Sequence, residues 1–185
     1  MNQNGYLEVI IGPMFSGKTT RILELYRQYS HIVPTYVINH STDNRYGETT
    51  HVFTHNKDSI PCTSIAKLSE FKFNEDQKMS CVILINEGQF FEDLEEYVEK
   101  WVNEHKASVY VCGLDGDFQR KKIGSIMNII PIADSVTKLS SVCKNCNGMN
   151  KAIFTHRITK ETAQVVIGSD NYIPVCRKCY NILNS

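Results

Sequence analysis

The sequence predicts an α/β fold: a parallel sheet flanked by helices, followed by a small metal-binding part. Three observations predict it. Apolar runs of strand length alternate with helical stripes, a glycine-rich loop separates the first strand from the first helix, and two cysteine pairs stand near the C-terminal end. Residues 6–11 (YLEVII) are rich in β-formers and stop at Gly12. Beyond the loop, Ile22, Leu23, Leu25, Tyr26 and Tyr29 recur at helical spacing. Residues 35–39 (TYVIN) follow Pro34 and read as a second strand. Residues 81–85 (CVILI) form an unbroken apolar run, as a strand covered on both faces requires. Leu94, Tyr97, Val98, Trp101 and Val102 make a second helical stripe, and residues 108–113 (SVYVCG) another buried strand. Strands alternating with helices imply βαβ units and parallel pairing. Residues 41–57 are polar and weakly periodic and read as a loop, whereas residues 65–71 (IAKLSEF) read as a short helix. Near Ser141 the texture changes, which divides the chain into regions 1–140 and 141–185.

The composition narrows the function. With 185 residues, 42% of them hydrophobic and 22% charged, the chain has apolar material for a sizeable core. Twenty basic residues balance twenty acidic ones, so the basic excess that marks non-specific nucleic-acid binding is missing. No stretch has the roughly 18 continuous apolar residues of a membrane span, and the start lacks a secretory pattern. The expectation is a cytoplasmic protein without membrane or nucleic-acid partners, its seven cysteines reduced. Cys62, Cys81 and Cys112 stand alone and read as small hydrophobes.

Gly12, Pro13, Met14, Phe15, Ser16, Gly17, Lys18 and Thr19 match G-x-x-x-x-G-K-[ST] between a predicted strand and a predicted helix. Backbone N–H groups of such a loop converge on phosphate oxygens at the positive end of a helix. Lys18 is expected to reach the β- and γ-phosphates, and Thr19 to offer its hydroxyl to Mg²⁺. The guanine-reading N-K-x-D pattern is absent, because Asn56, Lys57 and Asp58 lack the intervening residue. A nucleoside triphosphate other than GTP is therefore the expected ligand, which leaves ATPases and kinases open.

Cys143 and Cys146 form one C-x-x-C pair, Cys176 and Cys179 another, with 29 residues between the pairs. Two such knuckles suit one tetrahedral Zn²⁺, whereas a redox motif normally uses a single pair. Zinc there clamps both ends of the intervening chain and lowers the entropy cost of holding it in one shape.

Taken together, GPMFSGKT, NEGQFF (86–91), LDGDFQRKKIG (114–124) and the cysteine pairs resemble the type II thymidine kinases, the zinc-containing family of cells and large DNA viruses. The resemblance spans about residues 6–180 and implies a P-loop (RecA-like) sheet with a zinc-anchored loop covering the substrate. It implies transfer of the γ-phosphoryl group of ATP to the 5′-hydroxyl of thymidine, with Mg²⁺ and structural Zn²⁺, by a homotetramer under feedback from thymidine triphosphate. Glu87 corresponds to the family's catalytic base. Relatives usually carry aspartate at position 86, where it helps hold magnesium; Asn86 keeps an acceptor oxygen but lacks the charge, which implies a raised magnesium requirement. The resemblance puts Gln89 on the nucleotide side, together with Asp43, Asn44 and Arg45 of TDNRYG. Met14, Phe90, Leu114 and Phe118 correspond to the thymine pocket. The covering segment carries over to Gln164, Val165, Val166, Ile167 and Gly168, with Tyr172 on the sugar side. Ile123 stands where many relatives have phenylalanine, and Asp115 and Asp117 read as turn residues. Two other readings draw on the same residues: a P-loop ATPase whose zinc element binds nucleic acid or a protein, and a nucleotide-binding pseudoenzyme suggested by Asn86.

Overall fold

A computed structural model of the chain describes residues 4–43, 50–54, 57–72, 80–148 and 150–185. Its centre is a parallel sheet built from β1 (Tyr6–Ile11), β2 (Thr35–His40), β5 (Thr63–Ile65), β6 (Val82–Asn86), β7 (Ser108–Gly113) and β8 (Ser135–Lys138), in the order β5-β2-β6-β7-β1-β8. Helices α1 (Lys18–Tyr29) and α2 (Leu94–Asn103) cover it. The period of two along each strand divides its side chains between two cores. Leu7, Val9, Ile83, Ile85, Val109 and Val111 pack with Val98 and Trp101 of α2. Ile10, Val82, Leu84, Tyr110 and Cys112 pack with Ile22, Leu23 and Leu25 of α1. Both faces are therefore buried, which is why these strands read as continuous apolar runs.

Two expectations differ from what is observed. Residues 65–71 do not form an α-helix. Ile65 ends β5, which pairs with β2, and only Leu68–Glu70 makes a 3-10 turn. The Asp93 carboxylate accepts hydrogen bonds from the N–H groups of Leu68 and Ser69 at 3.0 and 2.9 Å, so a distant side chain satisfies this turn. The predicted loop 41–57 contains β3 (His51–Phe53), which pairs antiparallel with β4 (Ser59–Pro61). Parts of that loop, including Asn44, Arg45 and Asn56, lie outside the described residues.

Beyond β8 the chain builds short antiparallel pairs: β9 (Ser141–Val142) with β10 (Lys151–Ala152), and β11 (Phe154–Arg157) with β12 (Tyr172–Val175). Helix α3 (Arg177–Leu183) follows, and a separate small core gathers Ala152, Val175 and Tyr180 around the paired cysteines. Among the described residues no helix is long and apolar enough to cross a membrane.

Candidate active site

All strands of the sheet run the same way, so the segments leaving β1, β6 and β7 emerge at one edge, where open α/β sheets bind ligands. The segment after β1 is the glycine-rich loop. Gly12 is there because a Cβ would come 2.7 Å from the Leu139 carbonyl oxygen and 2.8 Å from Ser16 Oγ. Phe15 takes a left-handed φ of 63°, and Gly17 caps α1. Lys18 Nζ donates to the carbonyls of Gly12 and Pro13 at 3.1 and 2.7 Å, folding the ammonium over the loop that an anion would fill. The Met14 N–H donates to Thr155 Oγ1 at 3.0 Å, which ties the loop to β11.

After β6, Asn86 is still strand and Glu87 breaks it. Glu87 sits at φ 55°, ψ 39°, and caps the 3-10 turn Gly88–Phe90. A left-handed conformation in a non-glycine residue costs energy and clusters where function needs a side chain redirected. The Glu87 carboxylate is held from behind: Gln89 Nε2 donates to its Oε2 at 2.7 Å, and Gln89 Oε1 accepts the Leu114 N–H at 3.0 Å. Gln89 is itself buried and braced by Gly124, which has φ 57° and whose added Cβ would fall 1.7 Å from the Gln89 carbonyl oxygen. A Gly124→Ala substitution is thus expected to displace Gln89, and Glu87 with it. Activity should fall at least tenfold and thermal unfolding should come several degrees earlier, on the order of 1–3 kcal/mol lost; an unchanged melting curve and rate would contradict the bracing.

Asn86 lies under the cleft. It is 2% exposed and its Nδ2 donates to Asn39 Oδ1 at 2.9 Å, while Asn39 Nδ2 reaches Asp43 Oδ2 at 3.4 Å. Two amides thus lead from β6 to the one carboxylate of this chain of contacts that lines the cleft.

After β7, Asp117 is a turn residue, accepting the N–H groups of Gln119 and Lys121 on Oδ1 at 2.8 Å each. Its other oxygen accepts Gln164 Nε2 at 2.8 Å, which docks the segment between β11 and β12 onto the β7 loop. Asp115 pairs with Lys138 at 2.6 Å. The Phe118 carbonyl accepts Tyr180 Oη from α3 at 2.7 Å, so the cysteine-bearing region also leans on this loop.

These segments enclose a cleft of about 420 Å³, within the usual range for a small-molecule site. Met14, Phe15, Ser16, Gly17, Lys18 and Thr19 line it on the loop side, with Asp43 and Glu87. Phe90, Leu114 and Phe118 form its apolar wall, and Gln164, Val165, Val166, Ile167, Gly168 and Tyr172 close it. Gly12, Pro13, Asn86 and Gln89 are not part of this lining, and Asn44 and Arg45 lie outside the described residues. Thr54, Thr155 and Ile123 also line the cleft. Only Ile123 had a sequence signal; a lone buried threonine carries none.

The sulfur atoms of Cys143, Cys146, Cys176 and Cys179 all lie within 4.8 Å of one another, and none of these cysteines is in a disulfide. Four Zn–S bonds of about 2.3 Å would set the sulfurs roughly 3.8 Å apart, so the cluster fits zinc with small adjustment. Burial opposes ionisation of Cys143, but N–H groups of Cys176, Cys146 and Asn145 directed at its sulfur outweigh it and bring the thiol down to about 6.

A sequence model of the family described as thymidine kinase matches residues 5–180. The thymidine kinase of vaccinia virus (strain Western Reserve) is 42% identical over 180 residues, covering 95% of this chain and 97% of its own. That of Yaba monkey tumor virus is 39% identical over 186 residues, covering 100% and 99%. A thymidine kinase of rice is 42% identical over 182 residues, covering 95% of this chain and 66% of the plant protein.

Proposed function

This chain belongs to the thymidine kinase family, and from that premise we propose that its cleft transfers the γ-phosphoryl group of ATP to the 5′-hydroxyl of thymidine, giving thymidine monophosphate. One juxtaposition carries the reading: Glu87 shares a cleft with the phosphate loop on one side and Phe90, Leu114 and Phe118 on the other. Backbone N–H groups of the loop and the start of α1 hold the triphosphate. Lys18 leaves the carbonyls of Gly12 and Pro13 to meet the phosphate oxygens. The aromatic and aliphatic wall takes the neutral base, and residues 164–168 cover it and exclude water. Glu87 accepts the hydroxyl proton as the new phosphorus–oxygen bond forms, and ADP departs with the electron pair of the bond that breaks.

Magnesium, when bound, offsets charge on the phosphate oxygens; Thr19 and Asp43, both in the cleft, are the hard oxygen donors that would hold it. Cys143, Cys146, Cys176 and Cys179 would hold zinc, which would fix the region that carries the covering segment. We read residues 1–140 as the nucleotide-binding part and 141–185 as the zinc and loop part, a division supported by the separate core around the cysteines. A cytoplasmic homotetramer is the assembly that the family resemblance supports.

Position 86 bears on the metal through Asn39. With aspartate at 86, Asn39 must turn its amide to donate to the new carboxylate, which releases Asp43 from its 3.4 Å contact. Asn86→Asp is therefore expected to reach half-maximal rate at several-fold lower magnesium, with a lower melting temperature from the buried charge. Identical magnesium titrations would remove position 86 from any role at the metal.

Incubation of the purified protein with γ-labelled ATP and separate nucleosides tests the function itself. Label is expected on thymidine. Phosphate released only when DNA is added would favour an ATPase, and binding without turnover at any magnesium level would favour a pseudoenzyme.

A further inference from the structure

We infer that Arg157 is the positioning residue that pre-forms the substrate-covering segment, so that the wall of the cleft stands before nucleoside arrives; this rests on the thymidine kinase reading of the cleft. Arg157 is on β11, outside the sequence motifs, and is 5% exposed. Its guanidinium donates to the carbonyls of Glu161, Ala163 and Gln164, the bonds to Glu161 and Gln164 measuring 2.8 and 3.0 Å. It also donates to Tyr172 Oη at 2.6 Å. That hydroxyl in turn donates to the Val166 carbonyl at 3.0 Å and lies 3.2 Å from the Val166 N–H. One cation thus gathers the main chain from 161 to 166, a segment whose backbone has no strand partner among the described residues.

The guanidinium carbon lies over the Phe118 ring, 3.8 Å from its centroid, with the Tyr172 ring centroid at 5.1 Å. Phe118 and Tyr172 both line the cleft, so the cation that collects the covering segment also props two of its walls. Among the described residues no carboxylate pairs with it at ion-pair distance. Its charge is met by carbonyl dipoles and aromatic faces, and more distantly by Glu161, itself part of the covering segment. Lysine cannot reproduce this, because an ammonium has neither the planar fork for several carbonyls nor the flat face for a ring. The Asp117–Gln164 bond is a second tether on the same segment.

The test is Arg157→Lys beside wild type, with Tyr172→Phe as a milder variant that keeps the ring and removes the shared hydroxyl. The expected result for Arg157→Lys is a thymidine KM raised about 10- to 100-fold, as loss of charge-assisted bonds implies, with the KM for ATP within about twofold. Hydrogen exchange at amides 161–168 should accelerate in nucleoside-free protein while exchange in α1 and β1 stays unchanged. Tyr172→Phe should accelerate the same exchange by less; because Tyr172 itself lines the cleft, its exchange at 161–168 in nucleoside-free protein, and not its KM, decides the matter if Arg157→Lys does not fold. Unchanged exchange at 161–168 and unchanged thymidine KM would overturn the inference. Faster exchange throughout the protein would overturn it as well, reducing Arg157 to general stability. A wild-type protein that leaves thymidine untouched would sink the kinase reading instead, since the exchange readout needs no nucleoside.

Discussion

Replacing Glu87 by glutamine is expected to cut turnover about 10²–10⁴-fold while leaving thymidine KM within about twofold. The substitution keeps size and shape, so the apolar wall and the covering segment are undisturbed. What changes is the chemistry of one atom. Gln89 Nε2 donates to Glu87 Oε2, and Gln89 cannot turn over, because its Oε1 is committed to the Leu114 N–H. A glutamine at 87 must therefore give its oxygen to Gln89 and direct its NH₂ into the cleft. A donor then stands where the reacting hydroxyl needs an acceptor. Steady-state kinetics on the purified variant checks this, and near-normal turnover would remove Glu87 as the base.

The second large effect is expected at the cysteines. Cys176→Ser or Cys179→Ser should abolish zinc binding, and apparent binding energies for structural zinc sites are about 10–16 kcal/mol. The core at stake is small: Cys143, Ala152, Val175, Cys176, Cys179 and Tyr180 are its buried members. Without the metal, α3 loses its anchor, and with it the bond from Tyr180 to the Phe118 carbonyl. The covering segment hangs between β11 and β12 of the same region, so thymidine binding should fail along with zinc retention. Metal content by mass spectrometry and thymidine binding by calorimetry check both halves. Full zinc retention in either variant would contradict four-thiolate ligation.

The parts of this protein that could be read from sequence are those whose cause is local. β6 and β7 are buried on both faces and announce themselves as apolar runs, β1 is rich in β-formers around the half-buried Glu8, and the phosphate loop is a contiguous motif. The opposite holds for β8, an edge strand of alternating exposure that lacks such a run. Residues 65–71 read as a short helix, yet Ile65 faces the core from a strand and Leu68 from a short turn that depends on Asp93. The role of Gln89 was hidden for a related reason. Its partners are Glu87, two residues away, and Leu114, on another strand end, and only the fold brings the three together. Arg157 and Thr155 are buried polar residues on a four-residue strand, and nothing in their spacing distinguishes them from solvated ones. Motif and family resemblance pointed to part of the residues that line the cleft, Thr54 and Thr155 not among them, and the contacts behind the lining became visible only in three dimensions.

A crystal structure with thymidine and a non-hydrolysable ATP analogue tests the central claim most directly. The account predicts a Glu87 carboxylate oxygen within about 2.6–3.2 Å of the 5′-oxygen, beside a γ-phosphate seated in the loop that ends at Thr19. A Glu87 side chain turned away from that oxygen, with another group or nothing in its place, would contradict it.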